Sequence, residues 1–355
     1  LDLPEADRRE ILFLIEQHQE MVMISTRRDL DDYKMIADFA GRFTQPEWLR
    51  ALYLLSYADL SAVAADAWSD WQGALLWELY HKTMQQLESG LNTLEDRQHR
   101  RQTMDEHLVR VEGKWSPARV VTFQEHVQQL PGRYLAAYDL AQIERHLDIV
   151  EQRREDGDLA VHFEEHSDHT ELVVCASDRH HLLANICGVL AVNDVDILRA
   201  DVQTRDDDVV LDTFQITDID GSASLQEWKK ERLGQRLRQV LVDGLDVSEL
   251  FDAYSSNWSR RTKDLPAREP MIDFENQVSD RYTVVDVETQ NQAGVLYTIT
   301  HCLGEMDFDI HMAIINTVAD RATDAFYIVD DQGRKIVNYD TMETIRTRLA
   351  EGLSN

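Results

Sequence analysis

The chain has 355 residues, 43% of them hydrophobic and 29% charged, which is enough for two or three domains with buried cores. Its formal net charge of −30 repels phosphate backbones and argues against nucleic acid as a partner, although surplus Asp and Glu also serve plain solubility. No apolar run reaches the roughly 18 residues that would cross a bilayer, and the first ten residues are mostly charged, unlike a cleavable signal peptide.

Residues 1 to about 150 read as helices broken near Pro4, Pro46, Pro117 and Pro131. An apolar block from Ile11 to Ile15 leads to His18, read as the end of a buried helix. Leu52, Leu54, Leu55 and Ala58 lead to Asp59, and Trp68, Trp71, Leu75, Leu76 and Leu79 continue a buried stripe. His18 and Asp59 could each ligate a metal. A lone histidine at an apolar edge, or a lone aspartate at a helix end, is also an ordinary structural residue. Cys175, Cys187 and Cys302 are far apart with no Cys-x-x-Cys pair, which fits a reducing cytoplasm better than a zinc ribbon or a disulfide scaffold.

The C-terminal half repeats. Asp196/Asp309, Ile197/Ile310, Ala200/Ala313 and Thr204/Thr317 are identical pairs at one offset; after a one-residue gap follow Asp212/Asp324, Phe214/Phe326 and Gly221/Gly333. So long a period indicates duplicated domains. In the second copy Val285 and Val287 alternate with Asp286 and Glu288, as in a strand with one wet face. A short turn, then Val295, Leu296, Ile299, Cys302 and Leu303 at helical spacing, then two strands and an amphipathic helix complete the unit. The first copy matches with Leu182, Leu183, Ile186, Val189 and Leu190. The expected fold class is α+β: a helical N-terminal region, then two βαββα modules with an optional further strand, both helices on one sheet face. The other face and the edges of each sheet invite pairing with a second copy.

The turns carry the first resemblance. Asn291-Gln292-Ala293-Gly294-Val295-Leu296 and Asp178-Arg179-His180-His181-Leu182-Leu183 resemble the Asp-Arg-Pro-Gly-Leu-Leu fingerprint of ACT domains, which bind amino acids and other small effectors. Glycine admits close backbone approach, and the amides opening a helix favour a carboxylate. His180 and His181 stand where the fingerprint has Pro-Gly, so the first copy is expected to bind weakly or to serve as a structural partner. Asp178 and Asn291 would also serve as helix caps.

The segment Leu52–Val63, with Leu75–Tyr80, Leu130–Leu135, His18 with Met21, and Arg28-Asp29, resembles HD-type metal phosphohydrolases. His146-Leu147 adds a weaker match. The resemblance is closest to the family of bifunctional PII uridylyltransferase/uridylyl-removing enzymes, and with both ACT copies in order it covers nearly the whole chain. It implies boundaries at 1–155 for an HD-type part, 156–276 for the first ACT domain with its linker, and 277–355 for the second. It also implies the PII signal protein as partner, glutamine as effector, and Mg2+ or Mn2+ in the complete enzyme. Asp59 would be a residual metal ligand, with His18 a weaker one.

None of the thirteen histidines precedes an aspartate, so the family's His-Asp dyad is missing; the lone Gly-Ser, Gly221-Ser222, lies in a loop of the first ACT copy. With Leu1 as first residue, these gaps imply a C-terminal fragment that lacks both catalytic centres. A non-catalytic ACT-repeat regulator is the alternative expectation.

Overall fold

The computed structural model describes residues 4–30, 32–63, 70–89, 108–109, 115–130, 134–135, 138–155, 157–258, 269–292, 294–318 and 321–354. Trp68 and Pro131 therefore lie outside the described residues. Two compact units emerge: residues 1–144 with 277–280, and residues 145–276 with 281–355.

The first unit is helical: α1 (Glu5–Arg27), α2 (Tyr33–Ala40), α3 (Pro46–Val63), α4 (Asp70–Ser89), α5 (Pro117–Gln128) and the start of α6 (Leu140–Glu155). Local chemistry sets several starts. Asp32 caps α2 by accepting from the Lys34 and Met35 amides, and Ser116 caps α5 by accepting from Arg119, with Pro117 in the first turn. Met21, Leu49, Leu52, Leu76 and Leu79 are fully buried and form the core. Burying a side chain of that size contributes about 1.5–3 kcal/mol. A charged pair is enclosed with them: Lys82 Nζ donates to the Leu30 carbonyl (3.0 Å) and meets Glu78 Oε1 at 2.9 Å.

Two expectations shift here. His18 does not end its helix, because α1 runs on to Arg27 and buries Met21 and Ile24 on its inner face. Asp59 likewise lies inside α3, which continues to Val63. The apolar runs around them are split by the helical period. Ile11, Leu12, Ile15, Leu54 and Leu55 face outward, while Leu52 faces the core.

The second unit is one eight-stranded sheet, antiparallel throughout, in the order β1-β2-β4-β3-β7-β8-β6-β5. The strands are β1 (Leu159–Glu165), β2 (Thr170–Ser177), β3 (Val195–Gln203), β4 (Val209–Asp218), β5 (Met271–Glu275), β6 (Thr283–Gln290), β7 (Asp309–Val318) and β8 (Arg321–Val329). Between them lie α7 (Leu182–Ala191), α8 (Glu227–Leu241), α9 (Val247–Trp258), α10 (Val295–Gly304) and α11 (Tyr339–Leu353). The chain is α+β, and the halves of the sheet are the two repeats.

The duplication extends into backbone detail. Register shifts fall at Ile197/Arg199 in β3 and at the matching Ile310/Met312 in β7. His181 and Gly294 both have positive φ, as do Asp194 and Asp307, and Gly221 and Gly333. Each module also has a strand ahead of the expected pattern, β1 and β5, which become the outer edges of the sheet. Glu164, Glu165 and His162 make β1 a polar edge, of the kind that resists further strand addition.

The modules join where β3 pairs with β7, Ala200 opposite Ile315 and Val202 opposite Ala313. On one face, α7 packs against α10. The Cys187 thiol hydrogen-bonds the side chain of Thr300, its counterpart in the other repeat, so the local pseudo-twofold axis passes between them. Leu190, Ile186, Ile299 and Leu303 surround this crossing in one continuous core. Across the opposite face, Arg145 donates to Glu164 Oε1 (2.9 Å) and Glu171 Oε1 (3.3 Å).

A seam that is interior to the sheet should resist solvent. We expect the amides of Val202 and Ala313 to exchange hydrogen as slowly as those of β4 and β8 under native conditions. Fast exchange at the seam alone, read by mass spectrometry or NMR, would show that the modules open independently.

Candidate functional site

The two fingerprint loops occupy equivalent positions with equivalent geometry. In the first, the Leu182 amide donates to the Arg179 carbonyl (3.1 Å) and the Asn185 amide to that of His181 (2.9 Å). In the second, Val295 donates to Gln292 (3.1 Å) and Thr298 to Gly294 (2.9 Å). Ala293 lies outside the described residues. Each loop places a left-handed residue at the helix N-cap, His181 (φ 61°) or Gly294 (φ 81°). Glycine accepts that backbone freely, whereas an L-residue loses roughly 1–2 kcal/mol there.

Neither helix is capped by a side chain. The expectation that Asp178 and Asn291 act as caps is thus corrected: both sit three residues ahead of the N-cap and face the other module. Uncapped, the amides of Leu183 and Ala184, and of Leu296 and Tyr297, have no intrahelical acceptor. They and the helix dipole form an anion-favouring end.

Two clefts open beside these ends, and most of their lining residues are counterparts in the repeat. The first, of about 450 Å³, is lined by Asp178–Ala184, Val202, Thr204, Val210 and Asp212, closed by Thr300, Gly304 and Phe308–Ile310 of the other module. The second, of about 370 Å³, is lined by Asn291, Gln292, Gly294–Tyr297, Ile315, Thr317 and Asp324, closed by Cys187, Ala191 and Val195–Ile197.

At the floor of each cleft lies a buried aspartate, Asp212 or Asp324, one of the identical pairs of the repeat. Asp212 Oδ1 accepts from the Gln203 amide at 3.2 Å, and Asp324 Oδ1 accepts from the matching Asn316 amide at 3.2 Å. Asp212 is 1% exposed and its Oδ2 has no hydrogen-bond partner. Burial pushes its carboxyl well above the usual range, only partly opposed by the Gln203 hydrogen bond. A donor such as an ammonium group would satisfy that oxygen.

The clefts differ at one mouth. Asn291 Nδ2 donates to Asp196 Oδ2 at 3.4 Å, bridging the modules. The equivalent pair, Asp178 and Asp309, sets two carboxyls near each other, and burial together with Asp309 raises the Asp178 carboxyl.

In the helical unit, His18 and Asp59 are brought into neighbouring helices. The Ser56 hydroxyl, one turn before Asp59, donates to the His18 carbonyl at 3.1 Å. His18 Nδ1 donates to the Ile15 carbonyl at 2.8 Å, and Asp59 is exposed. Among the described residues, no group of three metal-type donors includes either. These side chains do not fit a complete metal centre, and no hydrolytic step follows from them. His146, also singled out in the sequence, is buried and pushed down to about 3 by desolvation.

The second unit is thus a pair of ββαββα modules with uncapped helix ends at their junction. In agreement, residues 271–355 match the family model of an ACR9-like, ACT-like domain. Over its whole length the chain is homologous to the C-terminal part of enzymes named bifunctional uridylyltransferase/uridylyl-removing enzyme. It is 29% identical to that of Rhodospirillum rubrum over 358 residues, covering 100% of this chain and 38% of the relative. Identity is 28% over 359 residues with that of Azospirillum brasilense, again 100% and 38%. It is 30% over 362 residues with that of Gluconobacter oxydans, 100% and 37%. The chain thus spans about 38% of the length of the curated relatives it matches. No helix among the described residues is long and apolar enough to cross a membrane.

The mouth pair yields a pH prediction. The raised Asp178 carboxyl opposes folding at neutral pH, and the penalty fades as pH falls through its folded pKa and the group protonates. Asp178→Asn, which recreates the second mouth, should raise Tm by no more than about 2–4 °C at pH 7, since surface charge contacts are worth about 1 kcal/mol at most. Thermal melts at pH 7 and pH 4 check it: the gain should shrink at pH 4, and a gain unchanged with pH would assign it to something other than charge.

Proposed function

We propose that this chain is the C-terminal part of a bifunctional uridylyltransferase/uridylyl-removing enzyme in which the two ACT domains sense glutamine. On this reading residues 1–155 belong to an HD-type phosphohydrolase domain, and residues 156–276 and 277–355 are the sensors. The complete enzyme would transfer UMP from UTP to the PII signal protein in the cytoplasm and remove it again, with Mg2+ or Mn2+ at its catalytic centres.

The observation that carries the sensing role is the pair of equivalent clefts. Each offers helix-opening amides to a carboxylate and a buried aspartate to an ammonium group. An α-amino acid carries both groups on one carbon, and glutamine is the amino acid that the family resemblance names. Because each cleft is lined by both modules, a ligand in it touches both at once. Ligand binding can then favour one arrangement of the pair over another by its difference in affinity.

Glutamine should stabilise the chain thermally and bind in calorimetry, with serine and glutamate as controls. Asp212→Asn and Asp324→Asn keep an acceptor for the strand amide but remove the charge. Each should fold and weaken glutamine binding about tenfold or more. No thermal shift at millimolar glutamine would overturn the sensor reading, and an unchanged affinity in both variants would move the ligand elsewhere.

The chain carries no His-Asp dyad, and Asp59 belongs to no group of three donors among the described residues. We expect no UMP release from uridylylated PII by this chain, with or without Mn2+. Chromatographic detection of metal-dependent UMP release would overturn that expectation.

A further inference from the structure

Among the described residues, two clusters gather three metal-type donors within 4.8 Å of one another: Glu164, His166 and Glu171, and His181, His301 and Glu305. In the first, both carboxylates are already engaged by the Arg145 guanidinium. The second differs. Glu305 makes no ion pair with a described lysine or arginine, and its carboxylate lies 4.0 Å from His181 Nε2. His181 Nδ1 is buried without a hydrogen-bond partner, its ring lying against Gly304 where any Cβ would meet it at 2.2 Å. His301 holds its ring by stacking on Tyr297, with centroids 5.1 Å apart and planes 19° apart.

From this arrangement we propose that His181, His301 and Glu305 form a binding site for a borderline divalent cation of the Zn2+ type, linking the two modules at the rim of the first cleft. Two imidazoles and one carboxylate are a donor set suited to Zn2+ or Co2+ rather than to Mg2+. Three protein ligands leave a fourth position for water. Bonds of about 2.0–2.1 Å in tetrahedral geometry place donors about 3.3 Å apart. The donors lie within 4.8 Å of one another, so ligation requires them to draw together by up to about 1.5 Å.

Several features favour such a site. His181 is flanked by His180, whose ring centroid lies 4.0 Å from its own. His180 itself lies 3.9 Å from Asp307, a carboxylate–imidazole pair at the same rim. The position also accounts for an L-residue held at positive φ: a ligand bond to His181 would offset the cost of that backbone. The matching position of the second module is Gly294, so the site exists once per chain. Because His181 opens α7 while His301 and Glu305 belong to the end of α10, the cation would tie the first module's ligand loop to the second module's helix.

The test is calorimetric titration of the chain with Zn2+, supported by Co2+ absorption spectra, at pH 7.5. Glu305→Gln alters an exposed side chain, and His181→Asn retains a residue that tolerates positive φ. Glu164→Gln in the other cluster is the control. We expect the wild-type chain to bind one equivalent that both Glu305→Gln and His181→Asn weaken by at least about tenfold, while Glu164→Gln does not. Absence of binding to the wild-type chain, unchanged binding in Glu305→Gln and His181→Asn, or loss in Glu164→Gln would each overturn the proposal.

Discussion

The pairing of β3 with β7 is the contact on which the other features of the second unit depend. Each module alone would leave a strand with unpaired N–H and C=O groups at its edge, a surface that seeks another strand. Joining the two edges satisfies those groups and fixes the modules in antiparallel register. The same register brings α7 and α10 together, so that Cys187 and Thr300 meet at the pseudo-twofold axis. The helices then converge closely enough for the loop of one module to face the helix end of the other. Both clefts follow from that geometry, and neither could be built from one module.

Duplication followed by divergence explains why the clefts are similar in backbone and unlike in chemistry. The buried aspartates, the threonines Thr204 and Thr317, and the strand-opening Asp309 and Asp196 occur in both. Of these, Asp212 and Asp324 clamp the strand amides at the floor, so they are tied to the fold as well as to any ligand. The loops are freer to change. Gly294 became the relaxed choice at its N-cap and His181 the strained one, while Asn291 bridges to Asp196 where Asp178 meets Asp309. Divergence has collected where the two modules touch, and there it can make two similar sites respond differently.

Much of this was legible before any coordinates. The repeat, the strand and helix order and the loops were readable because period-2 and helical patterns are strong in Val285–Glu288 and Val295–Leu303. The added strands β1 and β5 were not: Leu159–Glu165 ends in two glutamates, and Met271–Glu275 is too short for alternation to stand out. The cleft floors were within reach of the sequence, since four of the identical pairs, at Asp196, Ile197, Thr204 and Asp212 in the first copy, all line the clefts. Identity was visible; burial and an unpartnered Oδ2 were not, because both depend on neighbours far away along the chain. In the helical unit, apolar runs suggested buried stripes, but a run of adjacent leucines spreads around a helix, and half of it must face outward.

On the proposed sensing role, binding would be converted into geometry through shared walls. A ligand held entirely within one module could bind tightly and still leave the relation between modules unchanged, because equal affinity for two arrangements shifts neither. Here the amides come from one module while the closing residues, Phe308 and Asp309 or Val195 and Asp196, come from the other. Any change in how the helices cross at Cys187 and Thr300 must alter the width of both clefts together. On the proposed sensing role, occupancy of one cleft would bias the other through the same seam, and the coupling would be reciprocal. On that reading the chain would combine two non-identical clefts in a single response without further contacts between them.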